Sequence, residues 1–516
     1  MPGMNSPTVS LQQLLPAANL NQHWTDPAAA NQAAQIVVTG VKADSRRVTT
    51  GDVFVAVAGT QTDGHQFVRQ AVANGAVAVV TEIPIEGISV PQYVTQCSAS
   101  LFAKLCMTLN VGTHCPIVCT GITGTNGKTT ASWMLRSILQ AAGLRTGLVG
   151  TIETDDGVQC SDSNITTPAA DTLAAHMRRL MEQRATHSVM EISSHALVQK
   201  RCAGIRLSAA AITNITQDHF DYHRTVDAYR MAKASIAELL HADAPLLLNL
   251  DDPGCQFVMD RLVGSAGVIT FGVDNPEAEL RATLLQNNHR SQRVRLELAQ
   301  GDAEIRLRMI GSHNVSNCLA AAGLAEQLGI RLADIIEGLE SLHAVPGRLE
   351  RIDEGQSFQV LVDYAHTADA LDRSLTTIRD FVPGRLICVF GAGGDRDQSK
   401  RPKMGAAASI ADYCIITSDN PRHENPQVIA DQITAGCRTE YEVQLNRREA
   451  IAQAFDVAQP GDVVLLAGKG HESVQEIGDQ RAKFDDREIA RTLLQEMAAS
   501  QTVADLQSRF SLPKSA

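Results

Sequence analysis

The chain has 516 residues, of which 44% are hydrophobic and 20% charged, which suits about three globular domains, each with its own core. The formal net charge of -12 argues against non-specific nucleic-acid binding, so an anionic ligand needs a local basic pocket. The 11 cysteines form no CxxC pair, the first Lys or Arg is Lys42, and no apolar run approaches the ~20 residues of a membrane helix. These features lead us to expect a cytoplasmic protein with reduced thiols, no secretory signal and no membrane insertion.

Residues 1–35 are polar and rich in Ala, Asn and Gln, and carry no clear pattern. Phe54–Val57 and Ala76–Val80 read as strands, with a helix expected over His65–Asn74 between them, the pattern of a small α/β domain. A second unit opens near Pro116. Ile117-Val118-Cys119 reads as a buried strand, followed by a glycine-rich turn. Ala131, Met134, Leu135, Ile138 and Ala142 then recur at helical spacing until Gly143, and Leu148-Val149 starts the next strand of a βαβ unit. Further strands are expected at Ser188–Ile192 and Ala209–Thr213. A third unit begins near Val345-Pro346-Gly347. Its strands at Val360–Val362, Leu386–Phe390, Tyr413–Ile416 and Val463–Leu466 alternate with helices, a doubly wound pattern. The last ~15 residues read as a frayed tail.

The turn is Gly121-Ile-Thr-Gly124-Thr125-Asn126-Gly127-Lys128-Thr129-Thr130. Between a strand and a helix, its backbone N–H groups and the helix N-terminus form a cradle for phosphate. Lys128 is placed to reach the β- and γ-phosphates of ATP, and Thr129 to ligate Mg²⁺. The strict pattern wants Gly at position 122, where Ile122 stands. Glu191 ends an apolar run and is either a solvated strand end or a magnesium neighbour. Asp218-His219-Phe-Asp221-Tyr-His223 is either a polar loop or a second magnesium neighbourhood. Gly391-Ala-Gly393-Gly394-Asp395-Arg396 follows a strand, but Arg396 occupies the position where a dinucleotide fingerprint needs Gly or Ala, so NAD is rejected. His471-Glu472 lacks the second histidine of a zinc-protease motif.

Thr123-Gly-Thr-Asn-Gly-Lys-Thr129 resembles the Mur ligases, ATP-dependent cytoplasmic enzymes that build the peptide of bacterial cell-wall precursors. The resemblance covers nearly the whole chain. It runs through Asp44-Ser45-Arg46, Thr166-Thr167-Pro168, Glu191-Ile-Ser-Ser-His195, Thr213–His219, Gly311–Asn317, Val362–Thr367, Gly393–Asp397 and Ala467–Glu472. It implies three α/β domains: a small UDP-binding domain (1–102), a central P-loop ATPase-like parallel-sheet domain (103–345) and a Rossmann-like doubly wound domain (346–516). The third domain is expected to swing about residues 344–348 on substrate binding. Asp419-Asn420-Pro421-Arg422 resembles the stretch that reads the far end of meso-diaminopimelate in members adding that amino acid. A guanidinium fork suits its extra carboxylate.

The implied chemistry is phosphorylation of a D-glutamyl carboxylate of a UDP-N-acetylmuramoyl dipeptide by ATP, then attack by the amine. For ATP the resemblance implies Gly124, Thr125, Asn126, Gly127, Lys128, Thr129, Thr130, Asn317, Arg348 and Asp363. For the UDP-sugar peptide it implies Ala43, Ser45, Thr60, Gln61, Thr62, Thr166, Thr167, Ser193, Gln199 and Arg201. For diaminopimelate it implies Arg396, Asp419, Asn420, Pro421, Arg422, Gly468 and Glu472. Glu472 suits the distal ammonium or the orientation of Arg422. Lys128, Lys233, Glu191 and His219 are the implied catalytic group; Thr129, Glu191, His219 and Lys233 as a carbamate are the implied Mg²⁺ set. From the bare sequence, Lys233 is only a helix-surface lysine. Ala368, Ala392 and Ile165 stand where relatives carry proline, cysteine and asparagine. A monomer is expected. The alternatives are a lysine-adding sister ligase, a folylpolyglutamate synthase-like ligase, and a non-ligating P-loop regulator.

Overall fold

The computed structural model describes residues 8–15, 22–59, 62–163, 165–216, 220–262, 267–288 and 290–510. Two compact units divide the chain. The first comprises Met1–Ala282, Leu296–Ala303 and Ser316–Leu339; the second Thr283–Arg295, Glu304–Val315 and Glu340–Ala516.

The first unit opens with a five-stranded sheet: β1 (Gln22–Trp24), β2 (Gly40–Lys42), β3 (Asp52–Val55), β4 (Ala78–Thr81) and β5 (Gln92–Thr95), in spatial order β1-β5-β4-β3-β2. Strands β2 to β5 run parallel, and β1 is antiparallel on the edge. Every residue of β3, β4 and β5 is buried, as expected of strands covered on both faces. Helix α1 (Ser98–Val111) then packs on α3 (Ala170–Glu182). Leu101 and Leu105 share one core with Leu173, Met177 and Leu180.

The larger sheet of this unit holds β6 (Val118–Thr123), β7 (Thr146–Val149), β8 (Glu153–Asp155), β9 (Cys160–Asp162), β10 (His187–Glu191), β11 (Ala209–Ile212), β12 (Leu246–Asn249) and β13 (Val268–Gly272). Their spatial order is β9-β8-β7-β10-β6-β11-β12-β13. Strand β6 lies between β10 and β11, parallel to both. Its register sets Ile122 beside Glu191 and Thr123 beside Ile212. The loops after these three strands therefore emerge together at their carboxyl ends, where open α/β sheets bind ligands. Helix α2 (Lys128–Ala141) follows β6 and buries Ala131, Met134, Leu135 and Ile138 on one face.

The second unit carries a sheet of β14 (Glu350–Ile352), β15 (Gln359–Asp363), β16 (Leu386–Phe390), β17 (Tyr413–Ile416), β18 (Glu440–Val443) and β19 (Val463–Ala467), in order β14-β15-β19-β16-β17-β18. All neighbours are parallel except β14 with β15. Alternate residues feed separate cores: Leu361, Cys388 and Leu465 on one face, Val360, Val362 and Val464 on the other. That is the two-residue period of a strand covered on both sides. A hairpin of β20 (Val474–Ile477) and β21 (Gln480–Lys483) follows.

Two sequence expectations change. The helix expected over His65–Asn74 is a 3₁₀ turn, Gly64–Phe67, leading into a short helix, Val68–Ala73. The Asp63 carboxylate accepts the His65 N–H at 3.0 Å, and this local capping tightens the entry. Of the expected frayed tail, the part up to Phe510 is helical, in a helix that starts at Asp486, and residues 511–516 lie outside the described residues. Buried Ala490, Leu493 and Leu494 anchor its first turns to the sheet. All eleven cysteines are free thiols. Among the described residues, no helix is long and apolar enough to cross a membrane.

Candidate active site

Gly127 adopts φ +86°, and Lys128 begins α2. A Cβ on Gly127 would lie 2.2 Å from Asn317 Oδ1. Glycine is needed there both for the left-handed turn and for the close approach of Asn317. The loop is fastened from the β11 side. Thr213 Oγ1 donates to Asn126 O at 2.6 Å, and Asn214 both accepts from Asn126 N at 2.9 Å and donates to Asn126 O at 3.0 Å. Lys128 Nζ arches over its own loop, donating to Gly124 O at 2.8 Å and Thr125 O at 2.9 Å.

Glu191 is fully buried, which removes the reading of a solvated strand end. Its carboxylate accepts from Thr129 Oγ1 at 2.8 Å, Thr151 Oγ1 at 2.8 Å, Thr151 N at 3.0 Å and Ser132 Oγ at 3.4 Å. A buried carboxylate is tolerated when so many donors converge on it. Burial follows from topology: β10 is flanked by β6 and β7, while a strand's sequence shows only that its end is acidic. Thr129 and Glu191 present adjacent hard oxygen donors, the type that Mg²⁺ takes.

Lys233 is not on the surface either. Helix Val226–Ala234 buries it to 2% exposure, with Nζ 2.8 Å from Gly124 O and over the Tyr229 ring at 4.6 Å. The Tyr229 hydroxyl meets Thr125 Oγ1 at 3.0 Å. As an ammonium, Lys233 donates and cannot ligate a cation; only an acylated form such as a carbamate offers oxygens. His219, Thr60 and Gln61 lie outside the described residues.

The residues expected to hold the pyrophosphate and peptide part of the UDP-sugar peptide gather beside Glu191. Thr151 Oγ1 touches Thr166 Oγ1 at 3.0 Å. Thr167 Oγ1 donates to Glu191 O at 2.9 Å and accepts from Ser193 N at 3.0 Å. Arg201 Nη1 reaches Thr167 O at 2.7 Å, and its Nε and Nη2 grip Gln199 Oε1 at 3.0 and 2.7 Å. Ser45 follows β2 and bonds Gln70 Oε1 at 2.9 Å, Ala43 precedes it, and Thr62 is exposed.

Arg348 and Asp363 belong to the second unit. Burial pushes the Asp363 carboxyl up to about 6, against the pull of the Arg348 charge and the Ser374 hydroxyl. Arg348 stacks over the Tyr364 ring at 4.9 Å. Between β17 and α-helical Pro426–Thr434, the Asp419–Arg422 loop packs against the loop after β16: a Cβ on Gly394 would meet Pro421 O at 1.9 Å. Glycine at Gly394 thus permits backbone contact within this fold, and Arg396 is exposed. Arg422 Nε donates to Glu476 Oε2 and Nη1 to Gly394 O, at 2.9 and 2.8 Å. Glu472 does not orient Arg422. It accepts from Asn420 Nδ2 at 2.9 Å, and Glu476 of the hairpin takes the orienting place. Gly468, at φ +112°, lets Asp419 Oδ2 approach to where a Cβ would be 2.7 Å away.

Sequence reasoning missed Thr151, Asn214, Tyr229, Lys469 and Glu476. Asn214 and Lys469 lie inside motifs it quoted, so those motifs carried the signal. Thr151 and Glu476 had none, because their partners are distant in sequence. Among the described residues, the one cluster of three His, Cys, Asp or Glu groups near enough to share a metal is Glu153, Asp155 and Cys160. Arg136 Nη1 already pairs with Glu153 at 2.6 Å and Asp155 at 3.1 Å.

Comparisons with known proteins identify the family. The Mur ligase middle domain matches residues 122–325, the Mur ligase glutamate ligase domain 347–470, and the Mur ligase family catalytic domain 37–95. The UDP-N-acetylmuramoyl-L-alanyl-D-glutamate–2,6-diaminopimelate ligase of Syntrophomonas wolfei is 39% identical over 465 residues, covering 89% of this chain and 94% of that one. The protein of the same name from Thermosynechococcus vestitus is 40% identical over 504 residues, covering 95% and 98%. A solved structure of a ligase of that name superposes with TM-score 0.69 at 31% identity, covering 95% of this chain and 99% of that one. A Thermotoga maritima MurF ligase in complex with ADP shares the fold, with TM-score 0.59 at 20% identity, covering 89% and 96%. With the three domains matched in order, and relatives this similar along nearly the whole length, the chain belongs to the Mur ligase family.

Proposed function

We propose that the chain is an ATP-dependent amide ligase. It adds meso-2,6-diaminopimelate to UDP-N-acetylmuramoyl-L-alanyl-D-glutamate in the synthesis of peptidoglycan precursors. One observation carries the reading: the phosphate-loop pair Thr129–Glu191 continues through Thr151 and Thr166 into Thr167, Ser193 and Arg201. A nucleotide phosphate and a substrate carboxylate held by these two groups of residues would lie side by side.

In this reading, residues 1–102 take the UDP-sugar, 103–345 take ATP and 346–516 take the amino acid. A D-glutamyl carboxylate oxygen attacks the γ-phosphorus, the bond to ADP breaks, and an acyl phosphate forms. The free amine then attacks the acyl carbon, loses a proton and expels inorganic phosphate. Lys128 leaves its loop carbonyls to neutralise the transferring phosphoryl group. Thr129 and Glu191, with His219 and Lys233 as a carbamate, would hold Mg²⁺, which supplies charge neutralisation when bound. Asn317, beside Gly127, positions the nucleotide. Arg422 takes the distal carboxylate of diaminopimelate, and Glu472 with Asn420 takes its ammonium. Lysine in place of diaminopimelate would leave Arg422 without that carboxylate. The protein works in the cytoplasm as a monomer on these small molecules.

The test is phosphate release from ATP with Mg²⁺ and the UDP-sugar dipeptide, adding diaminopimelate or lysine in turn. Release that depends on diaminopimelate is the expected result. Release with lysine alone would reassign the amino acid, and release with neither would remove the ligase reading.

A further inference from the structure

Lys469 is completely buried, and none of the chemistry above uses it. It lies between Gly468 and Gly470 in the loop after β19, and its ammonium faces three groups of the amino-acid region. Nζ donates to Asn420 Oδ1 at 3.1 Å and stands 3.4 Å from Glu472 Oε2 and 3.6 Å from Asp419 Oδ1. A lysine removed from water is costly unless its charge and donors are matched, and here two carboxylates and an amide match it.

The geometry is one-sided. The Lys469 side chain has no exposure, while that of Glu472 is 29% exposed. Lys469 therefore grips Glu472 from within and leaves its outer lobe to a ligand. Asn420 is fixed through both ends of its amide: Oδ1 accepts from Lys469 Nζ and from Glu476 N at 3.0 Å, and Nδ2 donates to Glu472 at 2.9 Å. Gln475 Nε2 ties the same loop through Asp419 O at 2.8 Å. Lys469 therefore offsets part of the negative charge of Asp419 and Glu472 and leaves the outer side of Glu472 to an ammonium.

We infer that Lys469 is a positioning residue for the amino-acid substrate, holding Asn420 and Glu472 in the arrangement that receives the distal ammonium. This rests on the diaminopimelate-adding reading above. Several groups face Glu472: Lys469 from its own loop, Asp419 from the loop after β17, the Tyr364 hydroxyl from the loop after β15, and Arg447 from helix Arg447–Val457. Lys400 and His366 stand near Asp419. Burial and the Asp419 charge raise the Glu472 carboxyl, and Lys469 opposes them. Removing the cation raises it further, so the substrate-binding form of Glu472 is lost at a higher pH.

The experiment first establishes diaminopimelate-dependent phosphate release in the unaltered protein; if another amino acid proves to be the substrate, it takes diaminopimelate's place throughout. Lys469→Met and Lys469→Gln are then assayed against that amino acid across pH. In Lys469→Met, KM for the amino acid rises about tenfold or more, while kcat at saturation and KM for ATP stay within about twofold. In both variants the acid limb of kcat/KM moves up by about one pH unit or more, the effect of losing an opposite charge at this range. Lys469→Gln retains an amide donor for Asn420, so its KM rises less than that of Lys469→Met. An unmoved limb in folded Lys469→Gln overturns the inference, and so does a KM that rises equally for all three substrates. Failure of diaminopimelate with the unaltered protein would instead count against the functional reading alone.

Discussion

Glu191 offers a sharp test, because its carboxylate anchors four donors and, in the proposed reading, also holds Mg²⁺, and the two roles can be separated. Replacing it with alanine removes the acceptor of Thr129 Oγ1, Thr151 Oγ1, Thr151 N and Ser132 Oγ inside a site with no exposure. Each hydrogen bond to a charged acceptor contributes about 1.5–3 kcal/mol, and the weakest of these four, at 3.4 Å, contributes less. Hydroxyls can turn to other acceptors but the Thr151 N–H cannot, so Glu191→Ala should cost about 3–5 kcal/mol of a total near 5–15 kcal/mol. Glu191→Gln keeps the volume and one acceptor oxygen. Its new NH₂ can donate to hydroxyls that reverse their roles, so the cost falls to about 1–2 kcal/mol. The amide carries no charge for Mg²⁺, so kcat in the phosphate-release assay should drop about 100-fold or more and the Mg²⁺ requirement should rise. Chemical denaturation gives the first pair of numbers, and a Mg²⁺ titration of phosphate release gives the second. Wild-type activity and Mg²⁺ dependence in folded Glu191→Gln would refute the metal-side role and leave Glu191 as a structural anchor of the loop.

Three further outcomes are expected. Gly127→Ala should weaken ATP binding about tenfold or more by calorimetry, since alanine at φ +86° is strained by about 1–2 kcal/mol and its Cβ displaces Asn317; unchanged affinity would remove the loop from the nucleotide site. Arg422→Lys should raise KM for diaminopimelate about 30-fold or more and leave lysine use unchanged, because the bidentate fork is lost; a parallel rise for both amino acids would indicate collapse of the loop instead. Asp363→Asn should be more stable than the parent protein at pH 8 but not at pH 4, by urea denaturation. The folded-state carboxyl sits at about 6 against 3.8 unfolded, so holding it ionised costs about 3 kcal/mol above pH 6 and nothing below pH 4. Equal effects at both pH values would show that its burial carries no charge penalty.

Strand β16 and helix α2 show what a reading along the chain can reach. Leu386–Phe390 is uniformly apolar and uniformly buried, and the Ala131–Ile138 spacing became the buried face of α2. Both are local periodicities, and local periodicity survives into the fold when one face or both must be covered. The glycines within the motifs likewise marked sharp turns, since Gly127 and Gly468 stand at positive φ. The Gly64–Phe67 turn was misread because one side-chain cap at Asp63 overrode helical spacing.

The amino-acid order by itself determined the succession of α/β units, the phosphate cradle and the family resemblance, because each rests on residues close together in the chain. Tertiary structure alone decided the surroundings of the ionisable groups. Glu191 and Lys233 look solvated in sequence and are buried, one by neighbouring strands, the other against the phosphate loop. Arg422 acquired Glu476 as its partner, 54 residues away, and Asn420 acquired Lys469, 49 residues away. Charge in a protein interior is settled by what is packed around it, and no window of sequence contains those neighbours.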